Sequence, residues 1–224
     1  MSAVKNIFAS KSSRILRVML VNLGRDWDER QLAHEANVSN GLVHYVCETL
    51  IELGSVARDG RNRIVLVDPM RLLRRWAAYH QYDRANKFLD YFSFEKEIDQ
   101  FVSKAAHLDL KYALSGLAAA WLVAPYVRPV DVQLYIPSED LAPKFAEKLK
   151  LNPTPSGGNV KFVVPYDEGI FYGMREVRGV KTVSNVQLYV DLFNFPARGE
   201  EAASQILEVM LKEWRQKKEV LLNV

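Results

Sequence analysis

The chain has 224 residues, 49% of them hydrophobic and 25% charged, with a formal net charge of +3, a globular mix that excludes disordered and collagen-like classes. The longest apolar stretch, Ala113 to Val127, is broken by Ser115, Gly116 and Pro125, and so falls short of the ~20 residues of a membrane helix. One cysteine, Cys47, excludes an internal disulfide, and a polar, basic Met1 to Arg14 argues against a secretory signal, so a cytoplasmic protein is expected.

Taken in order, "SSRILRVML" predicts a helix with Ile15, Leu16, Val18, Met19 and Leu20 at helical spacing and Ser12 or Ser13 as its cap. "WDERQLAHEA" predicts a second helix capped by Asp28, with Gln31 as the far member of a capping box and Leu32, Ala33 and Ala36 inside. Asn37-Val38-Ser39 is a turn. A third helix follows from Ser39 to Leu53, its inner face Val43, Val46, Cys47, Leu50 and Leu53, with Gly54 as a left-handed stop. Val56 opens a short strand, Asp59-Gly60 is a hairpin signal, and Ile64 to Val67 returns. Three short helices and a two-stranded ribbon predict a winged helix-turn-helix over residues 1–69.

Residues 70–110 read as a helical bridge: a helix from Pro69 to Tyr82, a strand from Phe88 to Phe92, and a helix capped by Ser93 with Ile98, Phe101, Val102 and Ala105 inward. From 111 to 224 the pattern becomes mixed α/β, and the fold class is therefore α+β. "YAL" is a strand running tightly into the helix "SGLAAAWLV"; "VDVQLYI" is a strand; Ser138 caps "EDLAPKFAEKLKL"; "NVKFVVP" is a strand. "GIFYGMREV" reads as a strand or an edge hairpin. Ser184 and Gln187 form a capping box for "NVQLYVDLFN", and Ala203, Ile206, Leu207, Met210, Leu211 and Trp214 bury one face of the last helix.

Charge is uneven. Residues 1–75 hold 12 Lys+Arg against 8 Asp+Glu, residues 76–110 hold 4 against 6, and residues 111–224 hold 14 against 13. The basic excess sits where the winged unit is predicted, which fits an anionic partner. With Val43, Val46 and Leu50 inward, Ser39, Asn40, His44 and Tyr45 fall at the outer, N-terminal end of the third helix, the end that enters the major groove in helix-turn-helix proteins. Asn pairs with adenine in bidentate fashion; His and Tyr reach base edges or phosphates. Arg58, Arg61 and Arg63 on the ribbon are candidates for phosphate or the minor groove. Ser12, Ser13 and Arg14 sit at a helix start, where free N–H groups favour phosphate. The alternative is a protein-binding or purely structural winged helix.

No metal or cofactor site is expected. His34, His44, His80 and His107 are scattered without ligand spacing. Gly157-Gly158 precedes a strand, whereas a phosphate loop leads into a helix. Ser115-Gly116 between a strand and a helix is the triphosphate turn of nucleotidyltransferase-type folds. Those enzymes also need two carboxylates two apart on the next strand, and that strand reads Asp131-Val132-Gln133. Asp191 lies in a predicted helix. The site reads as a degenerate relic or a structural turn.

A winged helix-turn-helix followed by "YALSGLAAAWLVAPYVRP", "VQLYI" and "VSNVQLYVDLFNFPARGEEAASQIL" resembles the AbiEi-type antitoxins, regulators of type IV toxin–antitoxin systems linked to phage defence. Its most specific part is Val183-Ser184, Gln187-Leu188-Tyr189, Asp191-Leu192, Arg198-Gly199 and Glu201-Ala202-Ala203, and it spans about Ser12 to Leu211. The resemblance implies a repressor that binds double-stranded promoter repeats of its own operon. It also implies a C-terminal domain that counters a cognate toxin of nucleotidyltransferase fold without being an enzyme itself. Two other readings stay open: a regulator whose C-terminal domain binds a nucleotide or small molecule, and an active nucleotidyltransferase.

Overall fold

The computed structural model describes residues 6–95 and 97–222, with side chains of the last helix as far as Gln216. Residues 1–5, 96 and 223–224, which belong to the stretches read as the N-terminal unit, the bridge and the C-terminal domain, lie outside the described residues. Helix α1 (Ser10–Val21) packs against α2 (Glu29–Ala36) and α3 (Asn40–Glu52) on one side and against α9 (Asn185–Phe193) on another. That double contact explains why Ser12, Ser13 and Arg17 are buried along with Ile15, Leu16, Val18, Met19 and Leu20. Asp28 caps α2 by accepting from the backbone N–H groups of Arg30 and Gln31. Asn37, at φ 50°, makes the left-handed turn, a conformation Asn tolerates, and the Ser39 hydroxyl accepts from the N–H of Leu42 to start α3.

Strands β1 (Val56–Arg58) and β2 (Ile64–Leu66) form an antiparallel ribbon, and Trp27 adds a bridge by exchanging two backbone bonds with Ile64 at 2.9 and 2.8 Å. The hairpin that Asp59-Gly60 signals is present. Asp59 O accepts from Asn62 N, and Asn62, not Gly60, takes the positive φ of 61°. Asp59 also accepts from the N–H groups of Arg61 and Arg63 with its carboxylate, which stabilises a longer, three-residue loop.

Residues 70–110, read from the sequence as a helical bridge, also supply a strand to the sheet. Helix α4 (Pro69–Tyr79), capped by Asp68, packs on α9, and the short α5 (Tyr82–Ala85) leads into β3 (Lys87–Phe92). This strand enters a seven-stranded mixed sheet with β4 (Ala113–Ser115), β5 (Val132–Tyr135), β6 (Asn152–Pro153), β7 (Val160–Val164), β8 (Arg175–Val177) and β9 (Val180–Thr182), in the order β6-β3-β7-β5-β4-β9-β8. β5 runs parallel to β7 and β4 parallel to β9; the other pairs are antiparallel. Ser93 caps no helix. Its backbone is held by the Asn159 side chain at 2.7 and 2.9 Å, and α6 (Ile98–Ala106) starts four residues later than a Ser93 cap would allow. Nor does Ser138 make a side-chain cap; a 3₁₀ turn at Glu139–Leu141 precedes α8 (Ala142–Leu149). "GIFYGMREV" splits into a 3₁₀ turn at Glu168–Phe171 and the edge hairpin β8–β9, whose two-residue turn puts Arg178 and Gly179 at φ 52° and 79°.

Helices α7 (Gly116–Val123), α9 and α10 (Gly199–Leu222) pack together, and every residue of α9 from Asn185 to Leu192 is buried. Of the glycine pair before β7, Gly158 serves backbone approach: a Cβ there would lie 2.2 Å from the Tyr91 carbonyl oxygen. Among the described residues, no helix is long and apolar enough to cross a membrane.

Candidate nucleic-acid interface

Of the candidates on α3, Ser39, Asn40 and His44 are exposed, while Val43, Val46, Cys47 and Leu50 are buried beneath them. The Cys47 thiol is pushed up to about 12 by burial, which makes it an inert core group. Tyr45 departs from the expectation: it is half-buried and packs against the core, because its position on α3 lies between the two faces.

The arginines divide. Arg61 is exposed at the ribbon tip. Arg63 donates to the Asp26 carbonyl at 2.6 Å and so ties the ribbon to the α1–α2 loop. Arg58 lies between two carboxylates, 2.5 Å from Glu29 and 2.7 Å from Glu48. Its pKa is raised by hydrogen bonds to Glu48 and then to Glu29. Burial opposes ionisation of Glu29, but the bonds from Arg58 and His44 outweigh it and hold its carboxyl below the usual range. His44 Nδ1 is 3.4 Å from Glu29 Oε1. Ligand atoms of Glu29, His44 and Glu48 lie within 4.8 Å of one another, so His44 has carboxylate neighbours that the sequence spacing did not show. The Arg58 guanidinium already supplies positive charge there, and the cluster is an ion-pair network joining α2, α3 and the ribbon.

Ser12, Ser13 and Arg14 cannot serve as a phosphate-binding helix start. The helix begins two residues earlier, at Ser10, behind Ala9 with no side-chain cap. Ser12 and Ser13 are 6% and 0% exposed, and the Ser13 hydroxyl donates to Ser10 O at 2.6 Å. Arg14 makes a bidentate pair with Asp167, Nε to Oδ1 at 2.7 Å and Nη2 to Oδ2 at 2.8 Å. The hydrogen bond to Asp167 raises its pKa against the opposing effect of burial.

A second polar assembly lies under the sheet. Gly116, at φ +62°, follows Ser115, and a Cβ there would meet the Gln133 side chain at 3.2 Å. Gln133 Oε1 accepts from Tyr82 OH at 2.7 Å, and Gln133 Nε2 faces Asp131 at 3.3 Å. Lys161 on β7 stands 3.3 Å from Asp131. Asp191, fully buried, accepts from Ser115 Oγ at 2.8 Å, Tyr135 OH at 3.1 Å and Gln187 Nε2 at 2.6 Å; His80 Nε2 is 3.3 Å away. Burial first, then Asp191, pushes the Tyr82 and Tyr135 hydroxyls well above their ordinary values, so both stay protonated. Gln187 does not complete a capping box with its side chain: Ser184 accepts from its backbone N–H, while its Oε1 accepts from Arg17 Nε and Nη2 at 2.9 and 2.7 Å. Sequence reasoning missed Glu29, Glu48 and Arg17. Glu48 was within reach, since Asn40, His44 and Glu48 follow at i, i+4 and i+8.

A protein-family model described as a transcriptional regulator, the AbiEi antitoxin of type IV toxin–antitoxin systems, matches residues 65–212, about two thirds of the chain. The chain belongs to the AbiEi antitoxin family. The AbiEi match begins inside β2, so it takes in α4, β3 and the whole sheet, while α1–α3 lie outside it. Neither a curated protein nor a solved structure matches the chain.

Proposed function

We propose that this AbiEi family member is a DNA-binding repressor and antitoxin that binds promoter repeats of its own operon and counters a toxin of nucleotidyltransferase fold. Residues 1–69 act as a winged helix-turn-helix, with α3 in the major groove and the β1–β2 ribbon as the wing. The observation that carries this reading is the division of α3 into a buried apolar side and an exposed N-terminal end bearing Ser39, Asn40 and His44. Arg61 at the wing tip is the phosphate contact; Arg58 and Arg63 hold the wing in place. The test is a binding assay on the promoter duplex. Asn40→Ala or His44→Ala is expected to relax preference at one base pair by ~1–3 kcal/mol, and Arg61→Ala to weaken binding on all sequences and lower the salt slope by about one. If none of these changes binding, the reading face is wrongly assigned.

The C-terminal part acts through its surface on the toxin and performs no catalysis. In support, the place of a second metal-binding carboxylate is taken by Gln133, and the Lys161 ammonium stands beside Asp131, where a divalent cation would compete with it. Incubation with labelled triphosphates and magnesium tests this; turnover that Asp131→Ala abolishes would replace the reading with an active nucleotidyltransferase.

One observation favours a second reading, a ligand-responsive regulator. A cavity of about 930 Å³ lies between the end of α1, β8, α9 and α10, lined by Leu20, Leu23, Val186, Met210 and Trp214 with Arg25 beside them. A large thermal shift with a nucleotide would support that reading over the antitoxin one.

A further inference from the structure

The face of α3 assigned to DNA carries an anion, and a carboxylate turned toward a polyanion needs an explanation. Asn40, His44 and Glu48 are all exposed and stand on one stripe of the helix. Steps of four residues advance about 6 Å along the axis, so the stripe covers about 12 Å, or three to four base-pair steps of about 3.4 Å. The Glu48 side chain is 47% exposed and is held by Arg58 at 2.7 Å; Arg58 is held in turn by Glu29 at 2.5 Å, and His44 faces Glu29 at 3.4 Å. The four residues come from three elements: Glu29 from α2, His44 and Glu48 from α3, Arg58 from β1.

This arrangement has two effects. Arg58 offsets one of the two carboxylate charges, Glu29 and Glu48, that phosphates would otherwise repel. It also fixes the carboxylate in one conformation, so that little rotamer freedom is lost when the carboxylate accepts a further bond. Acceptor sites remain on both oxygens, Oε2 and the second lone pair of the Oε1 bonded to Arg58, because a carboxylate accepts about four bonds in all. In the major groove, guanine and thymine offer acceptors at the matching positions; cytosine and adenine offer amino donors at N4 and N6, but adenine adds the N7 lone pair, which repels the second carboxylate oxygen, so Glu favours cytosine.

We propose that Glu48 is a specificity-determining residue that accepts a hydrogen bond from the N4 amino group of a cytosine in the operator, with Arg58 as its positioning residue. The proposal rests on the DNA-binding reading of α3. It predicts one operator position at which cytosine is preferred over each other base by about 5- to 100-fold.

Competition binding with promoter duplexes changed one base pair at a time tests it, with thermal melting as the check that each variant is folded. Glu48→Gln keeps the shape and replaces the carboxylate by an amide, which pairs with adenine N6 and N7; the preferred base at that position should move from cytosine to adenine. Glu48→Asp, which keeps the charge on a shorter stem, should lose the cytosine preference without gaining adenine. Glu29→Gln weakens the hold on Arg58 but leaves Glu48 in place, so cytosine should remain preferred. If the unaltered protein binds the promoter and Glu48→Gln leaves every base preference as it was, this inference fails alone. If the unaltered protein binds no duplex, the DNA-binding reading fails and takes this inference with it.

Discussion

Among the described residues no carboxylate pairs with the buried cation of Arg17, and its replacement gives a quantitative test of how α1 is joined to the sheet. It is 0% exposed; Nε and Nη2 both donate to Gln187 Oε1, Nη1 donates to Ser13 O at 3.4 Å, Nη2 donates to Tyr166 OH at 3.3 Å, and the guanidinium lies 5.0 Å from the Trp76 ring centroid. Gln187→Leu strands that charge and removes the 2.6 Å donor to Asp191, so a loss of ~3–5 kcal/mol is expected. Arg17→Leu removes the cation together with its desolvation penalty and leaves only Gln187 Oε1 unpaired, a loss of ~1–3 kcal/mol. The double variant strands neither partner of that contact. It should therefore be more stable than Gln187→Leu alone, by ~1–2 kcal/mol, a rescue by a second buried substitution. Urea unfolding followed by circular dichroism and tryptophan fluorescence measures all three. Losses that simply add in the double variant, or a Gln187→Leu change under ~0.5 kcal/mol, would refute the bridge as described.

Three further outcomes follow from the same geometry. Glu29 has its carboxyl held below the ordinary value of 4.5, so its stabilising effect is present above that value and is lost as pH falls through the lower, folded value; the side-chain Nε–H shift of Arg58 should move in that acid range, and Glu29→Gln should diminish the movement. Cys47, buried and with its thiol pushed up to about 12, should react with a disulfide reagent at pH 8 only at the rate of unfolding; fast reaction in the native protein would contradict the packing of α3. Gly158→Ala forces a Cβ to 2.2 Å from the Tyr91 carbonyl and should destabilise the β3–β7 pairing by ~1–3 kcal/mol, measured as a lower urea midpoint.

Local features were legible in the sequence where one residue type serves one geometric need. Asp28 and Ser39 cap their helices, Gly54 takes φ +70° after α3, and the apolar spacing of α3 and α10 names their buried faces. Partnerships over long separations were not legible. Arg58 pairs with carboxylates 29 and 10 residues away, partners that its charge alone did not name. Arg14 and Asp167 are 153 apart, and Arg17 and Gln187 170 apart. The placement of β3 beside β7 is likewise a matter of strand order, which no local pattern encodes. Ser12 and Ser13 look like caps because a helix start and a buried first turn use the same small polar residues; only the neighbours of α1 tell them apart.

α1 has a bearing on how this chain can fail. A protein made of tethered beads can be trimmed by a protease, or shortened by a stop codon, and keep one bead at work. Here a single rod is the keel of both halves, with Leu16 and Leu20 fully enclosed and Arg17 plugged into α9. A break after Pro69 would leave the front piece with that rod laid bare and a charge without its socket. Damage to either end should therefore discard the molecule whole, and leave no folded half behind.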